Sequence, residues 1–186
     1  YPVGGLLVCT TQTESTAARA TVVSYKEDQT CGFVLALNEN GASQYPEFVA
    51  RIDNAGSSAW QAAQFTETIP LNTWVHLAGV YDGSKVRLYR NGVEVASTAA
   101  PGTLHQCTGN AAVGSRSSGD QHFFGGRIDD VQIFGRGLTA GEVADLYHEA
   151  PVLELRLDEA QSGGLRYNDN TNNANHGACV SSPPVG

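Results

Sequence analysis

The most ligand-rich stretch of the chain is DNTNNANH, which runs from Asp169 to His176. Its carboxylate, amide and backbone carbonyl oxygens are the hard ligands that Ca²⁺ prefers, because that ion takes about six to eight oxygens from a flexible loop. A purely structural interpretation is also open, since asparagine side chains can cap the backbone of their own turn. The residue types therefore predict a calcium-binding loop, with an asparagine-rich turn as the alternative.

Aromatic side chains in polar surroundings are the second kind of candidate. A carbohydrate site needs an exposed aromatic platform with amides and carboxylates nearby to bond the sugar hydroxyls. Trp60 lies in SSAWQAAQ, which the sequence predicts to be a polar loop, and it is the best platform candidate. Tyr45, His122 and Phe123 are further aromatic candidates in predicted loops. The alternative for Trp60 is a packing role between strands, and Trp74 is predicted to lie in the core.

Motifs of covalent and metal-assisted catalysis are missing from the sequence. There is no G-x-S-x-G nucleophile elbow and no H-E-x-x-H metal motif. The five histidines are scattered along the chain, and His76 lies in a predicted strand, where a structural role is expected. We therefore expect no enzymatic activity.

The size and charge of the chain limit the classes of partner that it can bind. The chain has 186 residues, which fits one domain, and its 21 glycines favour many short strands joined by turns. The net charge is −8 and no basic stripe is present, which argues against nucleic-acid binding. No apolar run is long enough to span a bilayer.

The cysteines are consistent with an oxidising compartment. Cys9, Cys31, Cys107 and Cys179 are widely spaced and form no C-x-x-C pair, so a structural zinc site is not expected. An even number permits up to two disulfides, with three connectivities open. Buried free thiols are the alternative.

The strand pattern predicts an all-β fold. Asp82-Gly83 and Asn91-Gly92 are turn signals that divide residues 74–97 into a three-stranded meander. Further strands are predicted over residues 5–10, 20–25, 31–37, 48–52, 111–115 and 125–134. Thr139 and Glu142 form a capping box that predicts one short helix near 139–148, with Val143 and Leu146 on its docking face. Many short strands plus one helix favour a two-sheet antiparallel sandwich.

Two motifs resemble the laminin-G-like domains of the concanavalin-A-like jelly-roll type. They are NTWVHLAGVYDGSKVRLYRNGVEV, residues 72–95, and GGRIDDVQIFGRGLTAGEVADLY, residues 125–147. Together they cover about half of the chain and occur in the family's order. The resemblance implies a jelly-roll sandwich that binds a ligand. Catalytic members of the fold carry Glu-x-Asp-x-x-Glu on one strand, a string that this chain lacks.

The resemblance also implies a set of calcium ligands. In the family the metal often lies where the opening loop of the domain meets the Ile-Asp-Asp strand. Alternation along that strand places Asp129 on the inward face with Val131 and Ile133, unless a bulge intervenes. Ala174 stands where the family has glycine. Carried over residue by residue, the ligands are Asp129, Asp130, Asp158, Asp169 and Asn173.

The chain order departs from the family, because LELRLDEA and YNDNTNNANHGAC, after residue 150, resemble the opening of such a domain. Either the piece is cut out of register from a tandem array, or the domain is circularly permuted. We expect residues 1–150 to form the sandwich and residues 151–186 to fold back and complete it. A monomer is expected, with a tail-swapped oligomer as the rival. The resemblance implies a calcium-stabilised extracellular or cell-surface module for carbohydrate recognition or adhesion, with a carbohydrate or an extracellular protein as its partner. A structural spacer repeat is the alternative, and a glycoside hydrolase is the weakest candidate.

Overall fold

The computed structural model describes residues 5–12, 19–25, 31–40, 43–105, 108–119 and 121–148. The elements in chain order are β1 (Gly5–Gln12), β2 (Ala20–Tyr25), β3 (Phe33–Asn40), β4 (Ser43–Asn54), β5 (Ser57–Gln64), β6 (Val75–Tyr81), β7 (Lys85–Arg90), β8 (Val93–Ala99), β9 (Thr103–Leu104), β10 (Ala111–Val113), β11 (Gly126–Phe134) and α1 (Ala140–His148). Most strands coincide with the sequence prediction to within two or three residues. None of the described helices is long and apolar enough to cross a membrane.

The strands form two sheets that pack face to face. The five-stranded sheet has the order β11-β1-β6-β7-β8, and the second sheet has the order β10-β2-β3-β4-β5, with β9 paired to β4 beyond the end of β3. Every pairing is antiparallel. The predicted antiparallel sandwich with one helix is therefore confirmed.

Alternation along the strands builds the core between the sheets. Val75, Leu77 and Tyr81 of β6 point into it and meet Val86 and Leu88 of β7. The meander is held by the predicted turns, in which Asn91 and Gly92 have φ values of 51° and 79°. Asparagine and glycine tolerate this left-handed geometry, which is what a two-residue hairpin turn needs. The local sequence thus determines the central part of the fold.

The helix α1 covers the outer face of the five-stranded sheet. The Thr139 backbone N–H donates to Glu142 Oε2 at 2.8 Å, and the Glu142 N–H donates to Thr139 Oγ1 at 3.2 Å, so the predicted capping box is present. Val143 is fully buried and packs with Leu146 against this face. This sheet is therefore covered by apolar groups on both sides.

A β-bulge in β11 determines the direction of Asp129. Leu7 pairs with Gln132 but Cys9 pairs with Asp129, so Asp130 and Val131 together oppose the single residue Val8. Asp130 has a φ of 50°, the left-handed geometry that a bulge accommodates. The extra residue moves Asp129 to the face opposite Val131, where it is exposed. The inward placement of Asp129 was predicted only in the absence of a bulge, and the bulge directs this residue outward.

Three placements of aromatic residues also differ from the prediction. Trp60 and Tyr45 lie in strands β5 and β4, not in loops. Trp74 immediately precedes β6 and is only partly buried, so it is not a core residue. The loop assignment of β5 failed because the strand is rich in serine, alanine and glutamine, which carry little hydrophobic periodicity.

Several predictions fall outside the described residues. Cys31 is buried, whereas the side chains of Cys9, Cys107 and Cys179 are not described, so the disulfide connectivity stays open. The whole of residues 149–186, including the predicted fold-back of the tail, also lies outside the described ranges.

Candidate functional site on the outer face of the six-strand sheet

A groove runs over the outer face of the sheet that contains β3, β4 and β5. Phe48, Ala50 and Ile52 of β4 point into the core, so the alternate residues of that strand point outward. In order along the strand, the outward residues are Tyr45, Glu47, Val49, Arg51 and Asp53. The groove has a volume of about 520 Å³, within the range typical of small-molecule sites.

A buried carboxylate organises one end of the groove. Glu47 is 3 % exposed, and its Oε1 forms an ion pair with Arg19 at 2.6 Å. Its Oε2 accepts hydrogen bonds from Asn38 Nδ2 at 3.0 Å and Gln64 Nε2 at 2.8 Å. Asn38 Nδ2 also donates to the Tyr45 hydroxyl at 3.3 Å. The carboxylate is thus satisfied by fixed donors, and it holds the polar groups around it in a defined orientation.

The middle of the groove has an apolar floor and an aromatic side chain. Val34, Val49 and Ala62 lie side by side on β3, β4 and β5 and line the groove. Trp60 lines it one step further along β5 and is partly buried. The Arg51 guanidinium lies over the Trp60 ring, 5.8 Å from its centroid, which is a cation–π geometry.

The connection between β10 and β11 forms a side wall. It contributes Arg116, Gln121 and His122 to the groove. Backbone hydrogen bonds fasten it to the edge of the sheet, from Thr21 N–H to the His122 carbonyl and from Gly114 N–H to the Val22 carbonyl, each at 2.8 Å. His122 has a φ of 58°, so the wall turns sharply at this residue. The position of this side wall is therefore fixed by backbone hydrogen bonds.

A second polar cluster lies at the other end of β4. Asp53 Oδ1 is 2.7 Å from His105 Nδ1 and accepts a short hydrogen bond from Ser58 Oγ. The hydrogen bonds from Ser58 and then His105 hold the pKa of Asp53 below its usual value. The residue types are those of a serine hydrolase triad, but Ser58 Oγ approaches His105 Nδ1, at 3.3 Å, on the nitrogen that faces the aspartate. A triad base uses its other nitrogen for the serine, so this cluster does not activate Ser58 as a nucleophile.

Some of the predicted sugar-binding residues lie together at the groove. Trp60 and His122 both line the groove, and Tyr45 borders it through its bond with Asn38. Phe123 is 60 % exposed and is not part of the lining.

The predicted metal ligands are placed elsewhere or are not described. Asp129 and Asp130 lie on the five-stranded sheet, away from the groove. Asp158, Asp169 and Asn173 lie outside the described residues. Among the residues that the structure describes, no group of three or more histidines, cysteines and acidic residues could hold a metal ion.

Sequence reasoning missed the buried carboxylate network at one end of the groove. Glu47, Arg19 and Gln64 come from three separate parts of the chain and share no motif. A usable signal was present on β4, where Glu47, Arg51 and Asp53 alternate with apolar residues. A polar row on a strand whose other face is apolar marks the face that points away from the core, and the groove lies on that face.

Sequence and fold together define the class of protein. The sequence profile of the concanavalin A-like lectin/glucanases superfamily, of laminin G type, matches residues 10–144. The chain belongs to this superfamily, and the resemblance drawn from residues 72–95 and 125–147 is confirmed. Among curated proteins, no sequence matches the chain.

Solved structures with the same fold include domains in complex with sugars. Domain 4 of AbnA, a GH43 extracellular arabinanase from Geobacillus stearothermophilus in complex with arabinotriose, is 23 % identical, with a TM-score of 0.56, and the match covers 77 % of this chain and 65 % of that one. The CBM40 of the Ruminococcus gnavus IT-sialidase, bound to α2,3-sialyllactose, is 18 % identical over 77 % of this chain and 81 % of that one, with a TM-score of 0.59. A SAP-like pentraxin from Limulus polyphemus is 18 % identical over 77 % and 70 % of the two chains, with a TM-score of 0.51. At these identities the similarity shows the fold.

Proposed function

We propose that this chain is an extracellular carbohydrate-binding module whose ligand lies in the groove over β3, β4 and β5. The observation that carries the proposal is the placement of the Trp60 ring beside an apolar floor, with the Glu47 network on the far side of that floor, two rows along β5. The arabinanase domain and the sialidase module described above, which share the fold, were solved with bound sugars. They support the proposal because they are domains of the same fold that bind sugars.

The chemistry of the groove suits a sugar. A pyranose or furanose ring presents C–H groups on its faces and hydroxyls around its rim. The C–H face packs on an aromatic ring or an aliphatic floor, and the hydroxyls need donors and acceptors in fixed positions. Gln64 and Arg19 provide such groups, and their bonds to the buried Glu47 carboxylate hold them in orientation. A site organised in this way loses little entropy when it binds.

Binding is proposed in place of hydrolysis because the groove lacks a working pair of carboxylates among the described residues. Glu47 and Asp53 face the groove side of the same strand, six residues apart, which corresponds to about 20 Å. Glycoside hydrolysis needs two carboxyl groups about 5 to 9.5 Å apart. In addition, Glu47 already accepts bonds from three side chains.

A glycan array followed by calorimetry tests the proposal. We expect the wild-type protein to bind one or more oligosaccharides, and Trp60→Ala to weaken that binding about 10-fold or more, as for a tryptophan at the centre of an interface. Trp74→Ala is the matched control, because it removes the other tryptophan of the chain at a position outside the groove lining. If no glycan binds, or if both variants bind like the wild type, the module is a spacer and the proposal is wrong.

A calcium requirement is a separate proposal. Asp129 and Asp130 are both exposed at the bulge of β11. Partial desolvation of the Asp130 carboxylate, and then the charge of Asp129, raise the pKa of Asp130. A cation would relieve this repulsion, but two carboxylates supply at most four of the six to eight oxygens that Ca²⁺ takes. The remaining ligands would have to come from Asp158, Asp169 and Asn173. We expect Ca²⁺ to raise the melting temperature and Asp129→Asn to abolish the increase; an unchanged melting temperature in excess EDTA would contradict this.

A further inference from the structure

We infer that the groove binds an oligosaccharide along the direction of β4 and β5, with the Asp53, Ser58 and His105 cluster as a second subsite beyond Trp60. The inference rests on the proposed function and extends it. It assigns a binding role to the cluster, which neither catalysis nor the Glu47 network uses.

The cluster lies in line with the groove. Arg51 pairs with Trp60, and Asp53 pairs with Ser58 in the next outward row along the same two strands. Successive outward rows of a sheet are about 7 Å apart. His105 flanks the cluster from the end of β9, because Leu104 pairs with Ile52 and points into the core. A ligand that extends from Glu47 across Trp60 therefore reaches the cluster without changing direction.

The hydrogen bonds of the cluster leave two groups available. Ser58 and His105 both bond Oδ1 of Asp53. Asp53 Oδ2 and His105 Nε2 have no hydrogen-bond partner among the residues that the structure describes. The two side chains are 39 % and 35 % exposed, so solvent reaches them. In the neutral histidine, a proton on Nδ1 directed at the aspartate makes Nε2 an acceptor. Two acceptors at one site suit the vicinal hydroxyls of a sugar.

Arg51 connects the two subsites. Its guanidinium lies over the Trp60 ring, and Arg51 and Trp60 form the row next to Asp53 and Ser58. Its Nε is buried and has no hydrogen-bond partner among the described residues, so no protein acceptor fixes the guanidinium at that nitrogen, and the side chain can turn toward a ligand oxygen. Buried polar atoms without a partner are rare in native proteins. The path from Trp60 to Asp53 thus places a donor, Arg51, next to the acceptors of the cluster.

The length dependence of binding tests the inference. The probes are α-1,5-arabino-oligosaccharides and cello-oligosaccharides of two to six units, together with any series identified by the array, measured by calorimetry. We expect the wild-type affinity to increase with length and then level off. His105→Ala should weaken binding of the longest oligosaccharides about 3- to 10-fold, which is the effect of losing one or two hydrogen bonds. The affinity for the shortest oligosaccharide that binds should not change. His148→Ala is the matched control, because His148 is exposed at the end of α1 on the other sheet.

The outcomes separate this inference from the function it rests on. If Trp60→Ala abolishes binding but His105→Ala and Ser58→Ala have no effect on any oligosaccharide, the second subsite is wrong and the module function stands. An affinity that does not change from two to six units also overturns the second subsite alone. If no probe binds the wild-type protein, the carbohydrate-binding function itself is overturned. A His105→Ala effect that is equal for short and long ligands contradicts a separate subsite.

Discussion

The titration of His76 should make the fold sensitive to acid. This residue lies on the helix-facing side of β6 and is 1 % exposed. Neither ring nitrogen has a hydrogen-bond partner among the described residues. Tyr147 of α1 covers the ring, with 5.4 Å between the two centroids. Burial lowers the pKa of His76 from 6.5 to about 4, so the folded protein holds the imidazole in its neutral form.

The sign and size of the change in stability with pH follow from this pKa. Between pH 6.5 and pH 4 the unfolded chain binds a proton at His76 that the folded protein refuses, so the free energy of unfolding falls as the pH falls. The contribution of His76 is a loss of about 2 kcal/mol at pH 5 and about 3 kcal/mol at pH 4, relative to pH 7.5. Above pH 6.5 the contribution vanishes.

Urea unfolding of the wild type and His76→Leu at pH 7.5 and pH 5 measures the difference. Leucine has a similar volume and does not titrate, while all other groups contribute equally to both proteins. We expect the wild type to lose about 2 kcal/mol more than His76→Leu between the two pH values. Equal losses in the two proteins would refute the argument, because His76 would then be free to take up its proton in the folded state.

Three further predictions concern packing, the groove and the tail. A Cβ at Gly79 would overlap the Phe48 ring, so Gly79→Ala should lower the free energy of unfolding in urea by about 1 to 3 kcal/mol. Gly141→Ala is the control, because the nearest atom is 3.9 Å from the added carbon. This variant should be neutral or stabilising by up to about 1 kcal/mol. Glu47→Ala should remove glycan binding in calorimetry and lower the free energy of unfolding by about 1 to 3 kcal/mol, since Arg19, Asn38 and Gln64 lose their common acceptor. Full binding by the folded variant would show that the Glu47 network is not part of the binding site. Removing residues 151–186 should lower the melting temperature, because Ile133 lies on the core side of the edge strand β11 yet is 47 % exposed; an equally stable, monomeric truncated protein would show that the tail does not complete the sandwich.

The central hairpins and the helix could be predicted because their signals are local. Asn91-Gly92 fixes its own turn geometry, and Thr139 with Glu142 fixes the start of α1 within four residues. Alternation of Val86 and Leu88 then determines which face of β7 is buried. Each of these features depends on neighbours in the sequence, so one sequence is sufficient to read them.

The groove could be predicted only in part because its geometry is not local. Trp60 was identified by its residue type, but its strand was not, since small and polar residues on the edge strand β5 carry no clear periodicity. Glu47 and Arg19 are 28 positions apart in the sequence and meet only when β2, β3 and β4 pair. The bulge at Asp130 likewise depends on the register between β1 and β11, which no local signal sets.

Fluorescence of Trp60 tests the central claim most directly. The chain has two tryptophans, so Trp74→Phe leaves Trp60 as the sole reporter, inside the groove. The probe is an oligosaccharide that calorimetry shows to bind the wild-type protein. We expect its addition to shift or quench the emission of the Trp74→Phe protein along a saturable curve with the calorimetric Kd, and to leave the emission of a Trp60→Phe protein unchanged. An unchanged Trp60 emission while calorimetry still records binding to the Trp74→Phe protein would place the ligand elsewhere and contradict the account.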